Sequence, residues 1–140
     1  DTELQILAAE RSEHCSYKSS KKHLRMLPTT GPNVIVEKGY DSGVLAVGDG
    51  YVVMVHIESH NHPSAVEPFG GAATGVGGVI RDILSAGTRP IALFDGLRFG
   101  NIETDLHARW LFKNAVSGIA DYGNCLGIPT IGGEVEFDEC

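Results

Sequence analysis

The segment GGAATGVGGVIRDIL, residues 70–84, says most about how this chain folds. Five of its first nine residues are glycines, and apolar side chains then recur at helical spacing from Val79 to Leu84. Gly87 follows at a position where a helix C-terminus is expected. The pattern predicts a glycine-rich loop that leads into a short helix.

Predicted strands lie on both sides of this segment. Residues 44–47 and 51–58 are rich in strand-forming side chains, and Gly48-Asp49-Gly50 between them is typical of a hairpin turn. Residues 90–95 form a short apolar run after the helix. The order strand, glycine loop, helix, strand predicts a mixed α/β (α+β) fold that contains hairpins as well as crossovers.

Two further helices are predicted nearer the chain ends. Residues 2–5, TELQ, have the form of a capping box with Thr2 as the N-cap, which predicts a short N-terminal helix. A longer helix is predicted from Asp105, or the residue before it, to about Gly127. Residues 128–131 then predict a last strand.

Composition limits the class of protein. The chain has 140 residues and 18 glycines, and its formal net charge is −7. Its length fits one domain, and the acidic balance argues against a nucleic-acid partner, which needs clustered Lys and Arg. No apolar run reaches the roughly 18 residues of a membrane span. Three cysteines without a C-x-x-C pair argue against a disulfide scaffold and favour a cytoplasmic protein.

The glycine-rich segment matches neither common phosphate-binding pattern. Val76 stands where the Walker A motif requires lysine, and Ile80 stands where a dinucleotide-binding motif requires its third glycine. Small residues before a helix nevertheless leave backbone N–H groups free for an anion. Gly75, Gly77 and Gly78 are therefore candidates for a phosphate loop, and the alternative is a tight turn with close packing.

The segment ESHNHP, residues 58–63, supports three interpretations. His-x-His with Glu58 or Glu67 has the composition of a transition-metal clamp, and a polar loop at a strand end is the simplest alternative. In the third interpretation Glu58 holds Mg²⁺ at a nucleotide site. Asp82 then offers a second carboxylate, and Arg81 beside it offers a fork for phosphate.

Seven segments of the chain occur together and in a characteristic order. They are SEHCSYK (12–18), LPTTGP (27–32), IESHNHPS (57–64), GGAATGVGG (70–78), RD (81–82), LRFG (97–100) and GGE (132–134). In this order they resemble the N-terminal domain of the phosphoribosylformylglycinamidine synthase family, which is similar to that of aminoimidazole ribonucleotide synthetase. The resemblance covers nearly the whole chain, and SEHC and ESHNHP together are its most specific parts.

The resemblance implies a fold and an activity. Strands of the α/β domain are expected to contribute to a barrel with a partner domain. The implied reaction converts formylglycinamide ribonucleotide, ATP and ammonia to the amidine, ADP and phosphate in purine biosynthesis, through an iminophosphate. Mg²⁺ is the implied cofactor. Ammonia is expected from glutamine, supplied by a glutaminase subunit with a small third subunit.

The resemblance also implies roles for individual residues. His14 and His60 match catalytic positions, with His60 as the proton acceptor. Tyr17 and His56 match nucleotide-binding positions, although members of the family often carry lysine where His56 stands. Glu58 and Asp82 match metal ligands. The positions that match contacts to the ribonucleotide substrate are Ser59, His60, Asn61, His62 and Arg81.

The expected organisation is one N-terminal half-domain over residues 1–140. The first 30 residues or so are expected to form a helix and a segment that covers the substrate, and residues 40–140 to form the α/β core. Later domains of the family are absent from this chain, so either those domains or a second copy are expected partners. Three alternatives stay open: a related enzyme of the aminoimidazole ribonucleotide synthetase or selenophosphate synthetase type, a non-catalytic dimerisation scaffold, and a zinc hydrolase built on His60 and His62.

Overall fold

A computed structural model of the chain shows a mixed α/β fold, as the sequence predicts. It describes residues 1–139, except for the side chains of His14 and Cys15. The helices are α1 (Thr2–Glu10), α2 (Glu13–Ser16), α3 (Lys21–Leu24), α4 (Asn61–Val66), α5 (Pro68–Ser85) and α6 (Leu106–Leu126). The strands are β1 (Val34–Val36), β2 (Gly43–Gly48), β3 (Tyr51–Val55), β4 (Leu93–Gly100) and β5 (Thr130–Asp138).

The first sheet contains β1, β2 and β3 in that order, all antiparallel. The predicted hairpin between β2 and β3 is confirmed. Its turn residues Gly48, Asp49 and Gly50 all have positive φ angles, of 102°, 51° and 79°, which glycine adopts without strain. β3 ends at Val55, three residues earlier than predicted, so the chain beyond it is free to turn towards α5.

The second sheet pairs β4 with β5 in parallel, and α6 forms the crossover between them. The predicted long helix is confirmed: the Asp105 side chain accepts a hydrogen bond from the backbone N–H of His107 at 2.8 Å, and Gly127 ends the helix in the left-handed conformation. Both strands differ from their predicted bounds. β5 continues through Gly132 and Gly133. Glycine is needed at position 133, because a Cβ atom there would lie only 2.0 Å from the carbonyl oxygen of Asp95 on β4.

The predicted glycine loop is wrong, because all five glycines of residues 70–78 lie inside α5. Each glycine costs a helix about 1 kcal/mol relative to alanine, and here close packing offsets that cost. A Cβ atom at Gly71 would lie 2.6 Å from the backbone of Pro63 in α4, and one at Gly77 would lie 2.8 Å from the ring of Tyr122 in α6. The glycines therefore let neighbouring elements approach the helix.

The hydrophobic core lies between α5, α6 and the second sheet. Its buried residues are Val76 and Ile80 of α5, with Leu93 and Ile128, and Val79 and Ile119 pack against them. Since Val76 and Ile80 are four residues apart, they share one face of α5. Because this face packs against the core, the orientation of α5 is fixed, and the opposite face carries the candidate site.

The N-terminal helix begins one residue earlier than predicted. Asp1, not Thr2, is the N-cap of α1, and its carboxylate accepts a hydrogen bond from the N–H of Glu3 at 3.2 Å. No residue of α1 is buried. Among the described residues, no helix has both the length and the apolar character of a membrane-crossing segment.

Candidate functional site

A cleft of about 470 Å³ lies where the chain after β3 crosses α5. Glu58 and His60 line it from the crossing segment, and Tyr122 lines it from α6. Arg81 and Asp82 line it from the last third of α5. Four residues that the sequence predicts for a nucleotide and substrate site are thus brought to one cavity.

The glycines of α5 make room for the side chains of the crossing segment. A Cβ atom at Gly78 would lie 2.4 Å from Oε1 of Glu58, and one at Gly75 would lie 3.0 Å from Cβ and Cγ of His60. Gly78 lies four residues before Asp82, so the two are on the same face of α5. Glu58 can therefore lie directly against the helix, next to Asp82.

His56, Glu58 and Asp82 form a cluster that could hold a metal ion. One ligand atom from each residue lies within 4.8 Å of the other two. The Nε2 atom of His56 is 3.3 Å from Oδ2 of Asp82 and 4.0 Å from Oε2 of Glu58. The predicted metal pair is thus brought together, and the structure adds His56, which the family resemblance places with the nucleotide.

His60 is the N-cap residue of α4, and its backbone carbonyl accepts a hydrogen bond from Oγ of Ser64 at 2.6 Å. Its Nδ1 atom is buried and has no hydrogen-bond partner among the described residues. A buried, unpartnered imidazole nitrogen is costly unless a ligand satisfies it. This is compatible with a role in proton transfer.

The remaining predicted substrate contacts lie beside the cleft. Ser59, Asn61 and His62 are exposed and do not line it. The Asn61 side chain accepts a hydrogen bond from the backbone N–H of His62 at 2.9 Å. The structure therefore places these three residues on the segment that carries Glu58 and His60, but not in the cavity itself.

Gly75, Gly77 and Gly78 do not form a phosphate loop. They lie in the interior of α5, where a backbone N–H donates to the carbonyl four residues earlier. Those N–H groups are not free to bind phosphate. A signal for this helix was present in the sequence: Glu67 caps it by accepting from the N–H of Gly70, and Pro68 occupies its first position.

None of the described residues of the N-terminal segment lines the cleft. Tyr17, a predicted nucleotide contact, is half-exposed and does not line the cavity. The side chain of His14, a predicted catalytic residue, lies outside the described residues. Nearby, the Glu13 carboxylate accepts hydrogen bonds from the N–H groups of Ser19 and Ser20 and from Oγ of Ser20, which lower the pKa of Glu13 to about 2.

A second shallow cleft, of about 290 Å³, lies between α6 and the start of the second sheet. Asp95 is its only acidic lining residue among the described residues. Burial raises the pKa of Asp95, and a hydrogen bond from the Thr130 side chain opposes that shift. This cleft contains none of the residues that the sequence predicts for the site.

Sequence reasoning did not assign Tyr122 to the site and placed it only within the predicted last helix. It lines the cleft from α6 because Gly77 leaves space for its ring. The signal that could have revealed this contact is the pair of small residues Ala73 and Gly77, which are four residues apart. That spacing places them on one face of a helix, where another element can pack closely.

Replacing Gly78 by alanine tests whether the space above α5 positions Glu58. The new methyl group meets only the flexible end of the Glu58 side chain, so the fold should be retained, and helix stability should rise by about 1 kcal/mol. Displacement of the carboxylate should lower the affinity for a divalent metal ion at least about tenfold. The affinity is measured by isothermal titration calorimetry with Mn²⁺ as the probe. Gly31→Ala is the matched control, because its Cβ has ordinary space 3.9 Å from Val34. Unchanged Mn²⁺ affinity in Gly78→Ala would contradict this role.

Comparisons with known proteins show the family to which the chain belongs. The family model for the N-terminal domain of AIR synthase related proteins matches residues 39–140. The phosphoribosylformylglycinamidine synthase subunit PurL of Caldanaerobacter subterraneus subsp. tengcongensis is 59% identical to the chain over 138 residues. The match covers 99% of this chain and 19% of that protein.

Solved structures give a similar result. The structure of T. maritima PurL complexed with ADP is 46% identical, with a TM-score of 0.70, and the match covers 97% of this chain and 21% of that one. The same protein complexed with FGAR is 47% identical, with a TM-score of 0.68, and the match covers 97% and 20%. The chain thus spans about a fifth of the length of the relatives that it matches.

Proposed function

The chain belongs to the family of AIR synthase related proteins, and on that premise we propose that it is the N-terminal part of a phosphoribosylformylglycinamidine synthase. The match over residues 39–140 confirms the coarser part of the resemblance drawn from the sequence, an N-terminal domain similar to that of aminoimidazole ribonucleotide synthetase. The proposed reaction is the ATP-dependent amidation of formylglycinamide ribonucleotide (FGAR). Its products are the amidine, ADP and phosphate.

One observation carries this proposal: Glu58, Asp82, Arg81 and His60 meet at a single cleft. Phosphoryl transfer needs accurate positioning and neutralisation of phosphate charge rather than a covalent nucleophile. Two carboxylates that can hold a cation, beside a guanidinium, supply both. The related T. maritima PurL forms complexes with ATP and with FGAR, which supports both substrates here.

Glu58 and Asp82 of the cleft, together with His56 beside it, fit a divalent cation. Three donor atoms lie within 4.8 Å of one another, and Nε2 of His56 is buried without a hydrogen-bond partner among the described residues. We propose that Glu58 and Asp82 hold Mg²⁺, which neutralises phosphate charge when ATP is bound. Arg81, which is exposed at the cleft, would pair with a phosphate of either substrate through its planar fork.

In the proposed reaction, ATP phosphorylates the amide oxygen of FGAR and gives an iminophosphate. Ammonia then attacks the carbon atom, and phosphate leaves with the oxygen. His60 would accept the proton that the attacking nitrogen loses, since its buried Nδ1 atom has no other partner in the described part of the chain. Ser59, Asn61 and His62 would contact the ribonucleotide at the rim of the cleft.

The rest of the site would come from outside the α/β core. His14 is proposed as a further catalytic residue and Tyr17 as a nucleotide contact, together with His56. These roles require the N-terminal segment to close over the cleft. The relatives are about five times longer than this chain, so their further domains, a glutaminase subunit that releases ammonia and a small third subunit are the proposed partners.

The test is a substrate comparison with the longest natural polypeptide that contains this chain. ADP release should depend on FGAR together with ammonium or with the glutaminase subunit and glutamine, and the amidine should form in equal amounts. The substrates of aminoimidazole ribonucleotide synthetase and selenophosphate synthetase are the controls. ADP release with either of these and none with FGAR would overturn the proposal.

A further inference from the structure

We propose that His56 is a third ligand of the cation site and that the site binds first-row transition-metal ions, such as Mn²⁺ and Co²⁺, in preference to Mg²⁺. This rests on the proposed function only in placing a divalent cation between Glu58 and Asp82. It adds a nitrogen ligand from a residue that the family resemblance assigns to the nucleotide.

The local fold aims the imidazole of His56 at the two carboxylates. His56 follows the last residue of β3, and its Nδ1 atom lies against the backbone carbonyl oxygen of Asp41, just before β2. A carbonyl oxygen only accepts hydrogen bonds, so Nδ1 must carry the proton. In the neutral ring, the Nε2 atom then has a free lone pair that faces Asp82 and Glu58.

With the ring neutral, this arrangement is unfavourable without a cation, and a second proton on Nε2 is the alternative that a metal ion must displace. The Nε2 atom is buried and has no hydrogen-bond partner among the described residues, and two carboxylates stand 3.3 and 4.0 Å away. A lone pair that faces negative oxygen atoms is repelled by them, and it also lacks water. A metal ion between the three groups removes both costs, and the backbone hydrogen bond at Nδ1 is the usual support of a metal-binding histidine.

The distances suit one ion. Ligand atoms about 2.1 Å from a shared cation are about 3.0–3.4 Å apart when they are neighbours in its coordination shell. The separation between Nε2 of His56 and Oδ2 of Asp82 is 3.3 Å, and that to Oε2 of Glu58 is 4.0 Å. A small rotation of the exposed Glu58 side chain closes the second gap.

The donor set determines which ion is preferred. Mg²⁺ takes oxygen ligands and keeps several waters, whereas a site that mixes imidazole nitrogen with carboxylate oxygen binds first-row transition-metal ions, with an affinity that rises from Mn²⁺ to Co²⁺. One imidazole and two carboxylates leave coordination positions open. Phosphate oxygens of a nucleotide or water can fill these positions.

The test compares the wild-type protein with His56→Asn, in the longest natural polypeptide that contains this chain and without nucleotide. Asparagine keeps an N–H donor near the Asp41 carbonyl but removes the ligand atom. We expect the affinity for Mn²⁺ and Co²⁺ to fall at least about tenfold and the affinity for Mg²⁺ to change less than about threefold. His23→Gln is the control, since His23 is exposed on α3. Thermal unfolding checks that each variant is folded.

Pulsed electron paramagnetic resonance of bound Mn²⁺ gives a second readout. The wild-type protein should show coupling to an imidazole nitrogen, and His56→Asn should lose it. Wild-type Mn²⁺ without that coupling would overturn the proposal, whether or not the variant folds, as would unchanged coupling in His56→Asn. The outcome is separate from the proposed function, because a protein that shows the coupling but does not convert FGAR keeps the metal site and refutes only the reaction.

Discussion

Replacing Glu58 by glutamine is expected to lower the kcat/KM of ATP-dependent amidine formation by at least about a hundred- to a thousandfold. The substitution keeps the size of the side chain and removes one of the two carboxylates that face the proposed cation. Loss of a single preorganised electrostatic group costs a factor of this size in other enzymes. In phosphoryl transfer, charge neutralisation supplies most of the catalysis.

The geometry indicates that the substitution should lower the activity without destabilising the fold. Glu58 is about one-third exposed, and its carboxylate lies against Gly78, where glutamine has the same room. The free energy of unfolding should therefore change by less than about 0.5 kcal/mol. Glu103→Gln is the matched control: it makes the same charge change at an exposed position between β4 and α6, and its kcat/KM should stay within about twofold. Normal turnover in Glu58→Gln would exclude this residue from the reaction.

The elements that the sequence predicts correctly are those with local signals. The hairpin before β3 and the capped helix α6 depend on neighbouring residues, such as Gly48 and Asp105, whose preferences act over a few positions. The pairing of Glu58 with Asp82 was also predicted, first as one of three interpretations of the residue types and then through the family resemblance, but not through periodicity.

The elements that the sequence predicts wrongly depend on residues far along the chain. Gly77 and Gly78 look like a loop, because nothing near them shows that Tyr122 and Glu58 will occupy the space above them. Gly133 interrupts a strand pattern for the same reason, since the close carbonyl belongs to Asp95 on another strand. In the local sequence a glycine indicates a flexible turn, whereas in this folded chain it marks a position where another part of the chain packs closely against the backbone.

The position of His56 in the metal cluster could not be derived from spacing. The alternation along the predicted strand 51–58 places His56 and Glu58 on one side, but only the fold brings Asp82 to meet them. The orientation of the ring depends on the carbonyl group of Asp41, which precedes another strand. Every residue has a backbone carbonyl group, so the identity of residue 41 does not reveal that it orients His56. A metal-binding histidine and a nucleotide-binding histidine therefore look the same in the sequence.

Replacing Gly118 by alanine is expected to separate α5 from α6. A Cβ atom there would lie 2.1 Å from the carbonyl oxygen of Phe69 and 3.1 Å from the backbone nitrogen of Ala73. Both atoms belong to the backbone of α5, which cannot rotate away as a side chain can. Overpacking costs about 3 kcal/mol, and the better helix propensity of alanine returns about 1 kcal/mol, so a loss of about 2 kcal/mol is expected.

Hydrogen exchange followed by mass spectrometry can locate this loss within a longer protein. Peptides from α5 and α6 should exchange about thirtyfold faster in Gly118→Ala, which corresponds to about 2 kcal/mol. Gly123→Ala in the same helix is the matched control, because Gly123 is also buried but its Cβ would lie an ordinary 3.4 Å from the carbonyl oxygen of Ile128. That variant should exchange as slowly as the wild type or more slowly. Equal acceleration in both variants would show that α6 is sensitive to any added methyl group, and that the contact with Phe69 does not determine the distance between the helices.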